Sequence, residues 1–162
     1  MTKPQVYSRL QIALHWAVAA LIVMQVLLSD GIKDAYREIL RGAAISPNFL
    51  IAAHVIGGVL VLIFALWRLI LRARRGVPAP MAGQSKGQIL AAEAVHYALY
   101  ALLIVVPLSG MAAWFGGIEA AGDAHEALKT LLVLLVLAHV AAALYHQFIR
   151  KDGLLKRMWR GA

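Results

Sequence analysis

The chain has no cysteine in its 162 residues. That excludes disulfides, thiolate-held iron–sulfur clusters and covalently attached c-type haem, so any metal must be held by histidine or oxygen. Acidic residues are also scarce, eight Asp and Glu against 16 Lys and Arg, which leaves a formal net charge of +8. Such a charge would suit nucleic acid, but the basic residues sit at the ends of apolar runs and not on a polar face or tail. Topology explains them better, and no nucleic-acid partner is expected. With 62% hydrophobic residues, the chain holds more apolar side chain than one small water-soluble core can hide. It reads as a membrane protein. Internal repeats and low-complexity segments are absent.

Four apolar runs are long enough to cross a bilayer: about residues 10–28, 49–71, 89–115 and 124–149. They predict an all-α, integral-membrane four-helix bundle forming a single domain over residues 1–162. The first run follows Lys3 and Arg9 as a signal peptide would, but it exceeds the usual apolar core of one and no small-residue cleavage site follows, so it is read as a retained anchor. Lys3, Arg9, Arg68, Arg72, Arg74, Arg75, Lys86, Arg150, Lys151, Lys156, Arg157 and Arg160 fall on one side, 12 of the 16 basic residues. By the positive-inside rule both termini face the cytoplasm of a bacterial inner membrane. In the first outer connection, Ile32, Tyr36, Ile39, Leu40 and Ala43 recur at helical spacing opposite Lys33, Asp34, Arg37, Glu38 and Arg41. A short surface helix fits, with Asp30 as N-cap and Gly42 as C-cap. The second connection, 76–86, carries Pro78, Pro80, Gly83 and Ser85 and reads as an irregular loop. The third, 116–123, is so short that the helices it joins must be antiparallel neighbours.

The last run organises the chain because it carries His125, His139 and His146. At 100° per residue the step from His125 to His139 falls about 40° short of four turns, and the step to His146 drifts about 20° more, so all three share a face. The first two lie about 21 Å apart along the axis, most of the hydrocarbon thickness. Two sites at two depths follow. His15 enters from the cytoplasmic side and His139 returns to it; His54 and His125 both stand near the outer side. The depths pair His15 with His139 and His54 with His125, each pair between different helices, as axial ligands clamping a flat macrocycle require. A lone intramembrane histidine is more often a hydrogen-bond partner between helices. Four in matched pairs, three of them without a neighbouring carboxylate, lack the ligand set of a zinc site and fit bis-histidine haem. His96 and His146 are read as solvated or hydrogen-bonding groups at the interface.

Arg68 lies 14 residues past His54, on the same side of its helix and about 21 Å deeper. It stands where an inner haem would present its propionates, and snorkelling to the headgroups is the competing reading. Gly57 and Gly58 leave room for a ring or for a close helix contact. Pro107 and Gly110 bend the third long helix, and Trp16, Trp67 and Trp114 are belt or packing residues.

Several of these residues form a familiar pattern: Tyr7-Ser8-Arg9-Leu10-Gln11-Ile12 before His15-Trp16, the His54–Gly58–Arg68 spacing, His96, Tyr100, Pro107 and Gly110, then His125-Glu126, His139 and Lys151-Asp152. Over nearly its whole length the chain resembles the bacterial cytochrome b561 family. The resemblance implies two haem b groups with His15, His54, His125 and His139 as iron ligands. It also implies electron exchange with quinone, ubiquinone in the superoxide oxidases of the family. The third connection is much shorter than in the superoxide-oxidising pattern and lacks its basic residue before His125. Two functions remain open: an oxidoreductase carrying electrons from superoxide, drawn by Lys33, Arg37, Arg41 and Lys129, to ubiquinone, and a membrane anchor passing electrons between a peripheral dehydrogenase or hydrogenase and quinone. On the second, Lys33, Arg37 and Arg41 are neutralised by Asp34 and Glu38.

Overall fold

Ser8 opens the first helix. Its hydroxyl accepts from Gln11 N–H at 3.3 Å while Gln11 Oε1 accepts from Ser8 N–H at 3.0 Å, a reciprocal cap that satisfies two otherwise orphaned donors. In the computed structural model, which describes residues 4, 6–44, 46, 48–81 and 83–159, this helix, α1, runs Arg9–Leu27. It is followed by α2 (Ser29–Leu40), α3 (Phe49–Arg75), α4 (Lys86–Gly116) and α5 (Glu119–Tyr145). A π turn, His146–Arg150, extends α5, and a single 3-10 turn, Leu155–Met158, closes the described chain. Four elements are long and apolar enough to cross a membrane: α1, α3, α4 and the stretch Glu119–Arg150. No strand occurs among the described residues. Lys3, Arg160 and the side chain of Asp30 lie outside what is described.

The helices outrun the apolar runs that predict them. Hydropathy marks only the segment in hydrocarbon, whereas backbone hydrogen bonding continues until a cap or a glycine ends it. Thus α3 extends through Arg72, Arg74 and Arg75, whose charges suit the negative end of a helix, to Gly76 at φ 74°. A second capping box, Ser85 with Gln88, starts α4 at Lys86. The α4–α5 connection shrinks to Gly117, at φ 63°, and Ile118. The surface helix α2 is present, but Asp30 is not its N-cap. Leu28 ends α1 and begins α2, so the turn leaves no residue free to cap and the helix starts at Ser29. Its far end matches expectation: Gly42 takes φ 74°, Gly42 N–H reaches Ile39 O at 2.9 Å and Ala43 N–H reaches Glu38 O at 3.0 Å.

In the bundle α1 packs on α3, α3 on α4 and α4 on α5, with α2 folded over α3 and the end of α1. The core is where the four long helices meet, at Val18, Val61, Ala65, Leu102, Leu103, Val106 and Leu132. Ile63, Leu108, Leu134 and Leu137 face outward and are exposed, as lipid-facing side chains must be. The start of α1, the described end of the chain and the α3–α4 connection share one end. There Gln11 Nε2 donates to Gly76 O at 3.3 Å, Trp16 Nε1 to Met158 O at 2.9 Å and Arg157 Nη1 to Ala79 O at 2.7 Å. At the opposite end Tyr36 OH donates to Ile118 O at 3.4 Å, tying α2 to the α4–α5 turn. We call these the terminal end and the α2 end.

Ala65 is 0% exposed at the point where α3 meets its neighbours. Ala65→Leu is expected to cost about 1–3 kcal/mol by overpacking. Ile63→Leu, on a face 49% exposed, should stay within about 0.5 kcal/mol. Denaturant unfolding in detergent micelles measures both.

Candidate functional site

The histidines gather at two levels. At the terminal end His15 of α1 and His139 of α5 face each other with ring centroids 6.3 Å apart and planes 65° apart. Because α1 packs on α3 and α5 on α4, these rings face across the looser side of the bundle. His96 of α4 stands 5.3 Å from His139 and places Nδ1 2.6 Å from Ala92 O, one turn back on its own helix. It therefore hydrogen-bonds as the sequence suggests, but against the histidine pair. Arg68 reaches His15 as well, with Nη1 3.0 Å from its Nδ1 and the guanidinium 5.8 Å from the Tyr100 ring centroid. A guanidinium only donates, so His15 Nδ1 accepts and its ring proton sits on Nε2.

His146 does not join this cluster. The coil widens into a π turn at that residue, and the ring turns to Asp152, with Nδ1 and Oδ2 2.5 Å apart. Asp152 also accepts from Leu154 N–H at 3.1 Å. Burial raises the carboxyl's pKa, but these hydrogen bonds outweigh it and hold it below the ordinary carboxylate value.

At the α2 end His54 of α3 and His125 of α5 line a cleft with about 190 Å³ of room. Its wall is almost wholly apolar, and Gln25, Gly58 and Gly110 also face it. His125 is held by Val106 O, 2.8 Å from its Nδ1. That bond fixes the proton on Nδ1 and leaves the Nε2 lone pair bare, the tautomer a metal-binding imidazole needs. Gly110 provides the space: a Cβ there would stand 2.9 Å from His125 Cε1 and 3.0 Å from Nδ1. His54 Nδ1 is buried with no hydrogen-bond partner, and so is Gln25 Oε1. At the mouth, Glu126 binds Lys129 at 2.6 Å and Lys33 at 3.1 Å. Arg37 pairs with Asp34 at 3.2 Å, as a solvated face predicts, whereas Lys33 leaves that face for Glu126. Gly57 serves a helix contact, since a Cβ there would meet Gln25 Nε2 and Met24 Cε at 2.6 Å. Trp16 packs 5.0 Å from Trp159. Gln25 was not singled out in the sequence, although a lone amide in the run Leu21–Leu28 was a signal of its own.

The family model for prokaryotic cytochrome b561 matches residues 6–161. The chain belongs to the prokaryotic cytochrome b561 family. It is 37% identical to cytochrome b562 of Cereibacter sphaeroides over 99% of both chains. It is 29% identical to cytochrome b561 homolog 1 of Escherichia coli, over 94% of this chain and 96% of that one, and 29% identical to the probable superoxide oxidase CybB of Yersinia pestis over 94% of each. Family membership makes it a multi-pass bacterial inner-membrane cytochrome of electron transport, redox-active and carrying haem b.

The donor set fits that cofactor: imidazoles without thiolates, one of them already in the ligating tautomer, beside a glycine cradle at an apolar cleft. Gly110→Ala is expected to push His125 off Val106 O and lower the haem-to-protein ratio in a pyridine haemochrome assay. Gly87→Ala, whose Cβ meets nothing nearer than Ser85 Oγ at 4.0 Å, should leave the ratio unchanged.

Proposed function

We propose that this cytochrome holds two b haems across the bilayer and carries electrons through them to the quinone pool. The observation that carries the reading is the pair of cross-helix histidine couples at opposite ends of one bundle. His15 and His139 would hold the haem iron at the terminal end, and His54 and His125 would hold that at the α2 end. Two imidazoles reaching one metal from opposite sides, each about 2 Å from it, place their centroids about 6 Å apart. The 6.3 Å between His15 and His139 supports the first pair. Holding iron through Nε2 would put the His15 proton on Nδ1, so Arg68 would release that nitrogen and its guanidinium would be free to meet an acid group such as a propionate. The terminal end, rich in Arg and Lys, faces the cytoplasm on the positive-inside rule, with both termini there.

Haem b supplies one-electron chemistry; the chain holds it, excludes water from it and sets its potential. The balance with superoxide as donor is two superoxide anions and one ubiquinone giving two dioxygen molecules and, with two protons, one ubiquinol. Likeness to a protein named a probable superoxide oxidase supports this donor, as do Lys33 and Lys129 at the α2-end cleft. Glu126 offsets one of those two charges. That neutralisation favours a second reading, in which a peripheral dehydrogenase or hydrogenase is the electron partner and the protein is its membrane anchor.

Alanine at His15 or at His139 is expected to remove the same one haem, and alanine at His54 or His125 the other, while His96→Ala and His146→Ala keep both low-spin. Reduced-minus-oxidised spectra with haem-to-protein ratios decide this, and loss of the same haem from His15→Ala and His54→Ala would refute the pairing. For the donor, reduction by superoxide should slow as salt rises, because steering is screened over about 8 Å at physiological ionic strength. Reoxidation by a soluble ubiquinone analogue should follow. A salt-independent rate, or none, together with a stable complex on gentle purification, selects the anchor reading.

A further inference from the structure

Gln25 is an amide in the otherwise apolar stretch Leu21–Leu28 of the chain. Its Nε2 donates to the backbone carbonyl of His54 at 2.7 Å, crossing from α1 to α3. Only a glycine at position 57 admits this approach. The other end of the amide, Oε1, is buried with no donor, and His54 Nδ1 is buried with no partner; both side chains line the same cleft. A neutral imidazole whose Nε2 lends its lone pair to a metal carries its proton on Nδ1, and in an apolar wall that N–H needs an acceptor. His125 has Val106 O and His96 has Ala92 O. His54 has none, and the buried acceptor without a donor beside the same cleft is Gln25 Oε1.

The geometry points to Gln25 as a positioning residue that accepts the His54 Nδ1–H, its amide already anchored to the same residue's carbonyl. This rests on the reading of His54 as an axial ligand. An acceptor on the distal nitrogen makes an imidazole a stronger donor to its metal and favours the oxidised iron, so Gln25 lowers the potential of the α2-end haem alone.

The test is an optical redox titration, with electron paramagnetic resonance of the oxidised protein, on purified Gln25→Leu, Gln25→Glu and His54→Ala. His54→Ala identifies the haem by its loss. Gln25→Leu is expected to raise the reduced-to-oxidised ratio of that haem roughly three- to tenfold at a fixed ambient potential, the effect of one hydrogen bond, and to leave the other haem unmoved. Gln25→Glu keeps an acceptor oxygen, so it should hold the ratio at the parent value or move it the other way. Should Gln25→Leu lose the haem, retention of it by Gln25→Glu with no rise in the ratio supports the assignment. Equal shifts in both variants, loss of the haem from both, or no shift in Gln25→Leu would reduce the amide to a clamp on the His54 carbonyl and overturn it. If His54→Ala keeps both haems, the ligand reading fails, an outcome separate from a Gln25 that does nothing.

Discussion

A peptide N–H or carbonyl inside hydrocarbon finds no water, and each one left unpaired costs several kcal/mol. Every crossing in this chain is accordingly a helix, and each irregular connection lies at one end of the bundle. The same constraint governs side chains. A polar group within the four spans gains most from a partner there, and several join helices, Gln25 to His54 O, His125 to Val106 O and Arg68 to His15, while His96, Ser109 and Thr130 bond within their own helices. The apolar core supplies packing, and those bonds tie particular faces of neighbouring helices together.

Val106 O shows how local chemistry serves that purpose. Pro107 has no N–H to donate, so Leu103 O lacks its helical partner, and Gly110, one turn past Val106, carries no side chain. The Val106 carbonyl accepts from Ser109 Oγ at 2.9 Å as well as from His125. Gly110 thus leaves, beside the Val106 carbonyl that His125 binds, a hollow that receives the imidazole.

The spans, the surface helix and the two levels at which His15 with His139 and His54 with His125 stand were legible in the sequence because hydropathy and helical period are local properties. Orientation along α5 was legible for His125 and His139, 14 residues apart on a regular coil, and failed at His146, where a π turn shifts the phase. Asp30 failed as a cap for a related reason: one residue, Leu28, serves two helices, which no capping pattern announces. His96 packing against His139, Lys33 turning to Glu126 and the Gln25 bridge depend on how helices rotate against each other. That rotation is set by the whole packed bundle and not by spacing along one helix.

The two levels differ in how their imidazoles are prepared. At the α2 end His125 is held by a backbone carbonyl, an acceptor that cannot move without unwinding α4, so its tautomer is fixed before any metal arrives. At the terminal end His15 is held by Arg68, a long side chain that donates and so imposes the opposite tautomer. On the proposed ligation, binding there would exchange one partner of Arg68 for another and move a proton from Nε2 to Nδ1. A site held by backbone is rigid and ready; a site held by a guanidinium would couple the proposed metal binding to the placement of a positive charge at the same end as Arg72, Arg74 and Arg75. The charge that topology places at this end is thereby linked, through Arg68, to the chemistry of the site beside it.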